Sequence, residues 1–167
     1  DRTARVGVIG LGYVGLPLAI EFAKAGFQVT GFDIDREKVH AIQNGESYIG
    51  DVPSEDIQVM REAGRISATS DFDALHEVQV VNICVPTPLT KTRDPDVSFM
   101  AKAVEQVRDR LHPGVLIVLG STTYPGTTHD LFVPELEETG LRVGRDFALA
   151  FAPERIDPGN EKFAVRD

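Results

Sequence analysis

The sequence has one cysteine, Cys84, and no tryptophan among its 167 residues. A single cysteine excludes an internal disulfide and any zinc site built from several cysteines, and it fits a reducing compartment. No apolar run approaches the roughly 20 residues that cross a bilayer, and residues 1–5, DRTAR, lack the apolar core of a signal peptide. We therefore expect a cytoplasmic protein with no membrane partner.

Positive charge is also scarce, because 17 Lys and Arg residues stand against 26 Asp and Glu, for a formal net charge of −9. A nucleic acid is held mainly by counterion release onto basic side chains, so this balance argues against a nucleic-acid partner. The four histidines are scattered without a metal-ligand spacing, and no metal site is expected.

The composition, 42% hydrophobic and 26% charged, is that of a globular protein. A chain of this length buries about 70% of its unfolded surface, which suffices for one self-supporting domain over residues 1–167. The sequence has no initiator methionine, and it stops at AVRD without a helix stop signal or a completed strand. We therefore expect a piece of a longer protein.

Short runs rich in valine and isoleucine alternate with stretches of helical periodicity, a pattern typical of parallel strands joined by crossover helices. The runs at 80–85 and 115–119 are apolar at nearly every position, so both of their faces should be covered. The predicted strands are residues 4–9, 28–32, 65–69, 78–85, 115–119 and 147–151.

The helical stretches show apolar residues at helical spacing, starting with Val14, Leu18 and Phe22, after which Gly26 is expected to close the first helix. Ser98 is predicted to be the N-cap of the fourth helix. Two segments without clear periodicity, 44–53 and 86–97, are candidate functional loops. The helices predicted after the first one are residues 36–43, 54–63, 98–111 and 125–138.

A glycine-rich loop, GLGYVG at 10–15, joins the first strand to the first helix. Gly10 would permit the tight turn, Gly12 the close approach of a diphosphate, and Gly15 the packing of helix on strand. The helix start would offer free N–H groups and a partial positive charge to the phosphates. The loop, including Tyr13 and Val14, is therefore a candidate dinucleotide site.

The second strand ends in Asp33, 23 residues beyond Gly10. A carboxylate at this place accepts hydrogen bonds from both ribose hydroxyls of adenosine and repels a 2′-phosphate, so it favours NAD over NADP. The alternative interpretation is that no ligand binds here, in which case the glycines serve only a tight turn and Asp33 is a solvated residue at the end of a strand.

Four stretches together resemble the NAD-binding domain of the UDP-glucose/GDP-mannose dehydrogenase family, in the same order and over nearly the whole chain. The stretch PERIDPG at 153–159 is more similar to the branch that oxidises UDP-N-acetylated amino sugars. The UDP-glucose branch usually has an aromatic residue in place of Arg155 and an acid near Pro158. The stretches are GLGYVGLPLA at 10–19, CVPTPL at 84–89, STTYPGTT at 121–128 and PERIDPG at 153–159.

The resemblance implies a doubly wound Rossmann fold with strand order 3-2-1-4-5-6, which binds NAD between the first and fourth strands. It implies a reaction in which the C6 alcohol of a UDP-sugar becomes a carboxylate while two NAD molecules are reduced. A cysteine traps the intermediate aldehyde in that family. The resemblance further implies that the family's central helical domain, through which the parent would form a homo-oligomer, and its nucleotide-sugar domain lie outside these 167 residues.

Site residues follow from the resemblance position by position. Asp33 and Lys38 match positions at the adenosine end of the cofactor, and Pro86, Thr87, Ser121 and Thr122 match cofactor-lining positions near the ends of the fourth and fifth strands. Thr122 is implied to hold a catalytic water, Glu154 to assist proton transfer and thioester hydrolysis, and Glu154 with Arg155 to meet the substrate. Gly120 replaces a charged residue often found before the Ser-Thr pair.

Cys84 lies in an apolar run with no basic neighbour in sequence, so we interpret it as a buried strand thiol. The family's nucleophile would lie beyond residue 167, and the 167-residue chain is expected to be inactive alone. Two other functions stay open: a two-electron dehydrogenase of the β-hydroxyacid type, and an NAD-sensing module without catalysis. Without the resemblance, Glu154 would be equally well explained as a surface acid beside Arg155, and Thr122 as a helix-capping hydroxyl.

Overall fold

The computed structural model describes residues 2–88 and 95–153. Within these two ranges, six strands form one parallel sheet in the order β3-β2-β1-β4-β5-β6, as predicted. Each predicted strand is present, and most are trimmed by one or two residues at their ends. The strands are β1 (Arg5–Ile9), β2 (Gln28–Phe32), β3 (Ile66–Thr69), β4 (Val80–Ile83), β5 (Leu116–Leu119) and β6 (Ala148–Phe151).

Helices lie on both faces of the sheet and bury two apolar clusters. One cluster contains Val8, Leu16 and Ile57 beneath α1 to α3, and the other contains Ile83 and Phe132 beneath α4 and α5. A 3-10 helix, Phe72–Glu77, links β3 to β4 and was not predicted. The α-helices are α1 (Gly15–Lys24), α2 (Arg36–Asn44), α3 (Ser54–Glu62), α4 (Ser98–Arg108) and α5 (Val133–Glu137).

Over residues 2–88 and 95–153, no helix is both long enough and apolar enough to span a membrane.

The helix predicted over 125–138 is present, but it is not one regular α-helix. The chain forms a π-helical turn, Thr128–Phe132, that continues into the five-residue α5. Pro134 lies at the start of α5 and has no N–H to donate to the carbonyl four residues earlier, so a regular α-helix does not run through this point.

The predicted N-cap of α4 is also wrong. Ser98 is the first helical residue, and Val97 occupies the cap position without a capping side chain. Asp96 supplies the acceptor instead, because its Oδ1 lies 2.9 Å from the Ser98 nitrogen. A carboxylate two residues before a free N–H makes this local bond as readily as a serine at the cap.

Candidate functional site

The strand order reverses between β1 and β4, and the candidate site residues cluster at this point. Ile9 pairs with Ile83, and Ile83 pairs with Leu119, so β1, β4 and β5 end level with one another. The segments that follow these strands therefore meet at one edge of the sheet. Open α/β sheets bind ligands outside the carboxyl ends of the strands at such a reversal.

The three glycines of the 10–15 loop differ in what surrounds them. Gly10 has a φ of 91°, and a Cβ added there would lie 2.7 Å from the Cys84 oxygen. A Cβ on Gly15 would lie 1.7 Å from the Gly10 oxygen, so the helix start packs directly on the loop. A Cβ on Gly12 would meet no atom of the described residues within 4 Å. The first and third glycines are required by the fold, whereas Gly12 borders open space.

The N-terminus of α1 carries no cap. Val14 precedes the helix without a side-chain hydrogen bond, and the first turn contains no acidic residue. Across the described ranges, the N–H groups of Gly12, Tyr13 and Val14 find no acceptor. Unpaired N–H groups and the positive end of the helix dipole form a site for an anion such as a diphosphate.

The carboxylate of Asp33 lies at the end of β2, beside this loop, and only 7% of the residue is exposed. Its Oδ2 accepts from the Leu11 nitrogen at 2.8 Å, and its Oδ1 accepts from the Asp35 nitrogen at 2.9 Å. The Lys38 ammonium lies 3.5 Å from Oδ2. Since each carboxylate oxygen has two lone pairs, the group retains acceptor capacity for ribose hydroxyls.

Ser121 and Thr122 follow β5 and have different environments. Ser121 is buried, and its hydroxyl donates to the Val85 oxygen at 2.8 Å, which joins the ends of β4 and β5. Thr122 is exposed, and its backbone oxygen accepts from the Thr87 hydroxyl at 2.8 Å. Of this pair, only Thr122 is exposed at the surface, and Pro86, in the loop after β4, is exposed as well.

The structure brings Gly10 to Gly15, Asp33, Lys38, Thr87 and the Ser-Thr pair to one edge of the sheet. Glu154 and Arg155, predicted to contact substrate, lie outside the described residues. They follow Pro153 in the sequence, two residues beyond the end of β6.

Cys84 follows β4 directly and is buried, as predicted. A Cβ on Gly120 would lie 3.3 Å from its Sγ, so glycine at position 120 leaves room for this thiol. Among residues 2–88 and 95–153, no three His, Cys, Asp or Glu side chains are grouped so as to hold a metal ion.

One residue at this site was missed by sequence reasoning. Tyr48, in the segment between α2 and α3, donates its hydroxyl to the Leu11 oxygen at 2.7 Å. The absence of periodicity over 44–53 made the segment a candidate functional loop, but no local pattern connects Tyr48 with a residue 37 positions earlier.

The geometry fits a dinucleotide. The loop offers unpaired N–H groups and an open approach at Gly12 to the diphosphate, and Asp33 lies where the adenosine ribose is bound in such folds.

Comparison with known proteins gives a consistent result. Residues 4–166 match the sequence model of the UDP-glucose/GDP-mannose dehydrogenase family, NAD binding domain. The chain is 38% identical over 159 residues to a UDP-N-acetyl-D-glucosamine 6-dehydrogenase of Salmonella typhi, a match that covers 95% of this chain and 36% of that protein. It is 40% identical over 157 residues to a UDP-N-acetyl-D-mannosamine dehydrogenase of Pyrococcus horikoshii, covering 93% and 37% of the two chains.

Among solved structures, a ternary complex of a GDP-mannose dehydrogenase from Pseudomonas aeruginosa superimposes with a TM-score of 0.89 at 30% identity. The match covers 98% of this chain and 38% of that one. The chain thus spans 36% to 38% of the length of these three proteins.

Proposed function

Since the chain belongs to the UDP-glucose/GDP-mannose dehydrogenase family and corresponds to its NAD-binding domain, we propose that it is the cofactor-binding part of a UDP-sugar 6-dehydrogenase. The whole enzyme would oxidise the C6 alcohol of a UDP-N-acetylhexosamine to the carboxylate and reduce two NAD molecules. The cofactor assignment rests above all on the uncapped start of α1, whose unpaired N–H groups lie beside the Asp33 carboxylate.

In this proposal the described residues hold NAD in two parts. The N–H groups of Gly12, Tyr13 and Val14 bind the diphosphate, and Asp33, with Lys38 beside it, binds the adenosine ribose. Pro86 and Thr87 line the cofactor on the other side of the β1/β4 reversal. When bound, NAD supplies the acceptor for a hydride from the sugar carbon.

Thr122 is the proposed catalytic residue among those described. Its exposed hydroxyl would orient a water, while the buried Ser121 hydroxyl holds the segment after β5 in place through its hydrogen bond to the Val85 oxygen. Glu154 is proposed as the proton-transfer group, and Arg155 as its neighbour at the substrate. The nucleophilic cysteine would come from another part of the enzyme, because Cys84 is buried.

The choice of substrate class is supported by the relatives, whose names include UDP-N-acetyl-D-glucosamine 6-dehydrogenase and UDP-N-acetyl-D-mannosamine dehydrogenase at 38% and 40% identity. The stretch PERIDPG at 153–159 also resembles the branch of the family that oxidises UDP-N-acetylated amino sugars. We further propose that residues 1–167 form one unit of a longer cytoplasmic enzyme, which assembles as a homo-oligomer through its central domain.

The full-length enzyme tests the proposal when it is given a panel of UDP-sugars and the NADH formed per sugar consumed is counted. Two NADH per UDP-N-acetylhexosamine support the four-electron oxidation. One NADH per substrate molecule would indicate a two-electron dehydrogenase of the β-hydroxyacid type. NADH binding without turnover of any UDP-sugar would indicate a sensor module. Either of the last two results would overturn the proposed function.

A further inference from the structure

The segment between α2 and α3, residues 45–53, is an ordered bridge next to the glycine loop. Gly45 ends α2 with a φ of 78°, and the Ser47 hydroxyl donates to the Ile49 oxygen at 3.0 Å. Ile49 and Val52 are both 4% exposed and join the apolar cluster beneath α1 to α3. These contacts fix Ser47 and Ile49, the residues on either side of Tyr48, and so hold Tyr48 in place.

Leu11, within the glycine loop, is fixed from three sides. Its N–H donates to Asp33 at 2.8 Å, its carbonyl accepts from the Tyr48 hydroxyl at 2.7 Å, and its side chain fills the space above Gly31. A Cβ on Gly31 would lie 2.7 Å from the Leu11 Cδ2. The fixed residue of the loop therefore comes directly before Gly12, which borders open space.

The peptide unit that contains the Leu11 carbonyl also contains the Gly12 N–H. The unit is planar and trans, so its C=O and N–H point in opposite directions, and a partner that holds the oxygen also orients the N–H. A hydrogen bond to the carbonyl also polarises the amide and strengthens the N–H as a donor. The Gly12 N–H is one of the three that find no acceptor among the described residues.

We propose that Tyr48 is a positioning residue for the cofactor diphosphate, because its bond to the Leu11 carbonyl aims the Gly12 N–H at the phosphate oxygens. The proposal rests on NAD binding at the glycine loop. Partial burial and, to a lesser extent, the nearby carboxylates of Asp33 and Asp35 raise the pKa of Tyr48 above its ordinary value, so its hydroxyl remains a donor to a higher pH than that of a solvated tyrosine.

The test compares wild type and Tyr48→Phe in the full-length enzyme, with dissociation constants measured by NADH fluorescence and by competition with ADP-ribose and with adenosine. We expect NADH and ADP-ribose to bind about three- to tenfold more weakly, the factor for one lost neutral hydrogen bond. Adenosine, which has no phosphate, should bind as before. The KM for NAD should rise while kcat stays unchanged.

Tyr124→Phe is the matched control. Tyr124 is exposed, and its hydroxyl makes no hydrogen bond to the part of the chain that is described, so its removal should leave all three dissociation constants unchanged.

Unchanged ADP-ribose affinity in Tyr48→Phe would overturn the proposal, and so would an equal loss for adenosine, which would place Tyr48 at the nucleoside instead. A melting temperature lowered by several degrees, together with weaker binding of all ligands, would reduce Tyr48 to a structural residue. If wild type itself bound no NADH, the cofactor assignment would fail, which is a separate result.

Discussion

Asp33 shows how one side chain supports both the fold and the candidate site. Its carboxylate accepts the backbone N–H groups of Leu11 and Asp35 in the absence of any ligand. The Leu11 bond connects the end of β2 to the glycine loop across 22 positions of sequence. A residue proposed to bind ribose is therefore also part of the support of the diphosphate loop.

Asp33→Ala should accordingly have two effects. Without NAD, the free energy of unfolding should fall by about 2–3 kcal/mol, because a buried N–H loses a charged acceptor. NADH affinity should fall at least about tenfold, since the ribose loses its acceptor as well. Chemical denaturation and fluorescence titration measure the two effects.

Asp71→Ala is the control for Asp33→Ala. Asp71 accepts the Asp73 N–H at the start of the 3-10 helix, so its loss should cost about 1 kcal/mol of stability and leave NADH affinity unchanged. Unaltered stability of Asp33→Ala in the absence of NAD would contradict the double role.

Ser121 and Thr122 should separate stability from turnover. Ser121→Ala removes the buried bond to the Val85 oxygen and should lower the free energy of unfolding by about 1 kcal/mol. Thr122→Ala removes an exposed hydroxyl, so stability should be unchanged while kcat of the full-length enzyme falls on the order of a hundredfold. Melting curves and steady-state rates decide this. A normal kcat for Thr122→Ala would remove Thr122 from the catalytic proposal.

At the scale of elements, the unit formed by β1, the glycine loop and α1 depends on glycines with different surroundings. Gly15 packs against the Gly10 backbone, whereas a Cβ on Gly12 would point into open space. The same change, glycine to alanine, should therefore act on folding at one position and on binding at the other.

Gly15→Ala should lower the free energy of unfolding by about 3 kcal/mol or more, because its Cβ would lie 1.7 Å from a backbone oxygen that has little room to move. Gly12→Ala should leave the melting temperature nearly unchanged but weaken NADH binding, because the methyl group takes the space that the diphosphate needs. Thermal melts and NADH titrations of both variants test the contrast. Equal destabilisation by the two substitutions would refute it.

Strands β4 and β5 were predictable because their continuous apolar runs indicate burial on both faces of a parallel sheet, and the other four because short apolar runs alternate with stretches of helical periodicity. The helical segment between β5 and β6 was less predictable. The pattern over 125–138 indicated one regular helix, but Thr128–Phe132 forms a π-helical turn, and Pro134 at the start of α5 has no N–H for the carbonyl four residues earlier.

Across the whole molecule, the sheet is protected unequally. Central β1 pairs with β2 and β4, and from Val6 to Ile9 it is fully buried. In the part of the chain that the structure describes, edge strand β6 pairs with β5 alone, and both of its end residues are exposed. Local opening follows burial and hydrogen bonding, so the two strands should differ in stability.

Native-state hydrogen exchange on the 167-residue chain should show this difference. We expect the backbone amides of β6 to exchange at least about a hundredfold faster than those of β1, because an edge strand opens without disrupting the core. Mass spectrometry of peptic peptides covering residues 4–10 and 145–153 reports both. Equal protection of the two peptides would mean that β6 opens only with the whole domain.

The alternation of strands and helices, the glycine loop and the acid at the end of β2 were readable from the amino-acid order alone, because these features depend on local backbone sterics and on the periodicity of burial. The folded chain was needed to show that Asp33 binds the N–H of Leu11 while Tyr48 binds its carbonyl, and that Ser121 is buried while Thr122 is exposed. Those partners lie 22 to 37 positions apart, and their contacts exist only once the parallel sheet has brought the strand ends together.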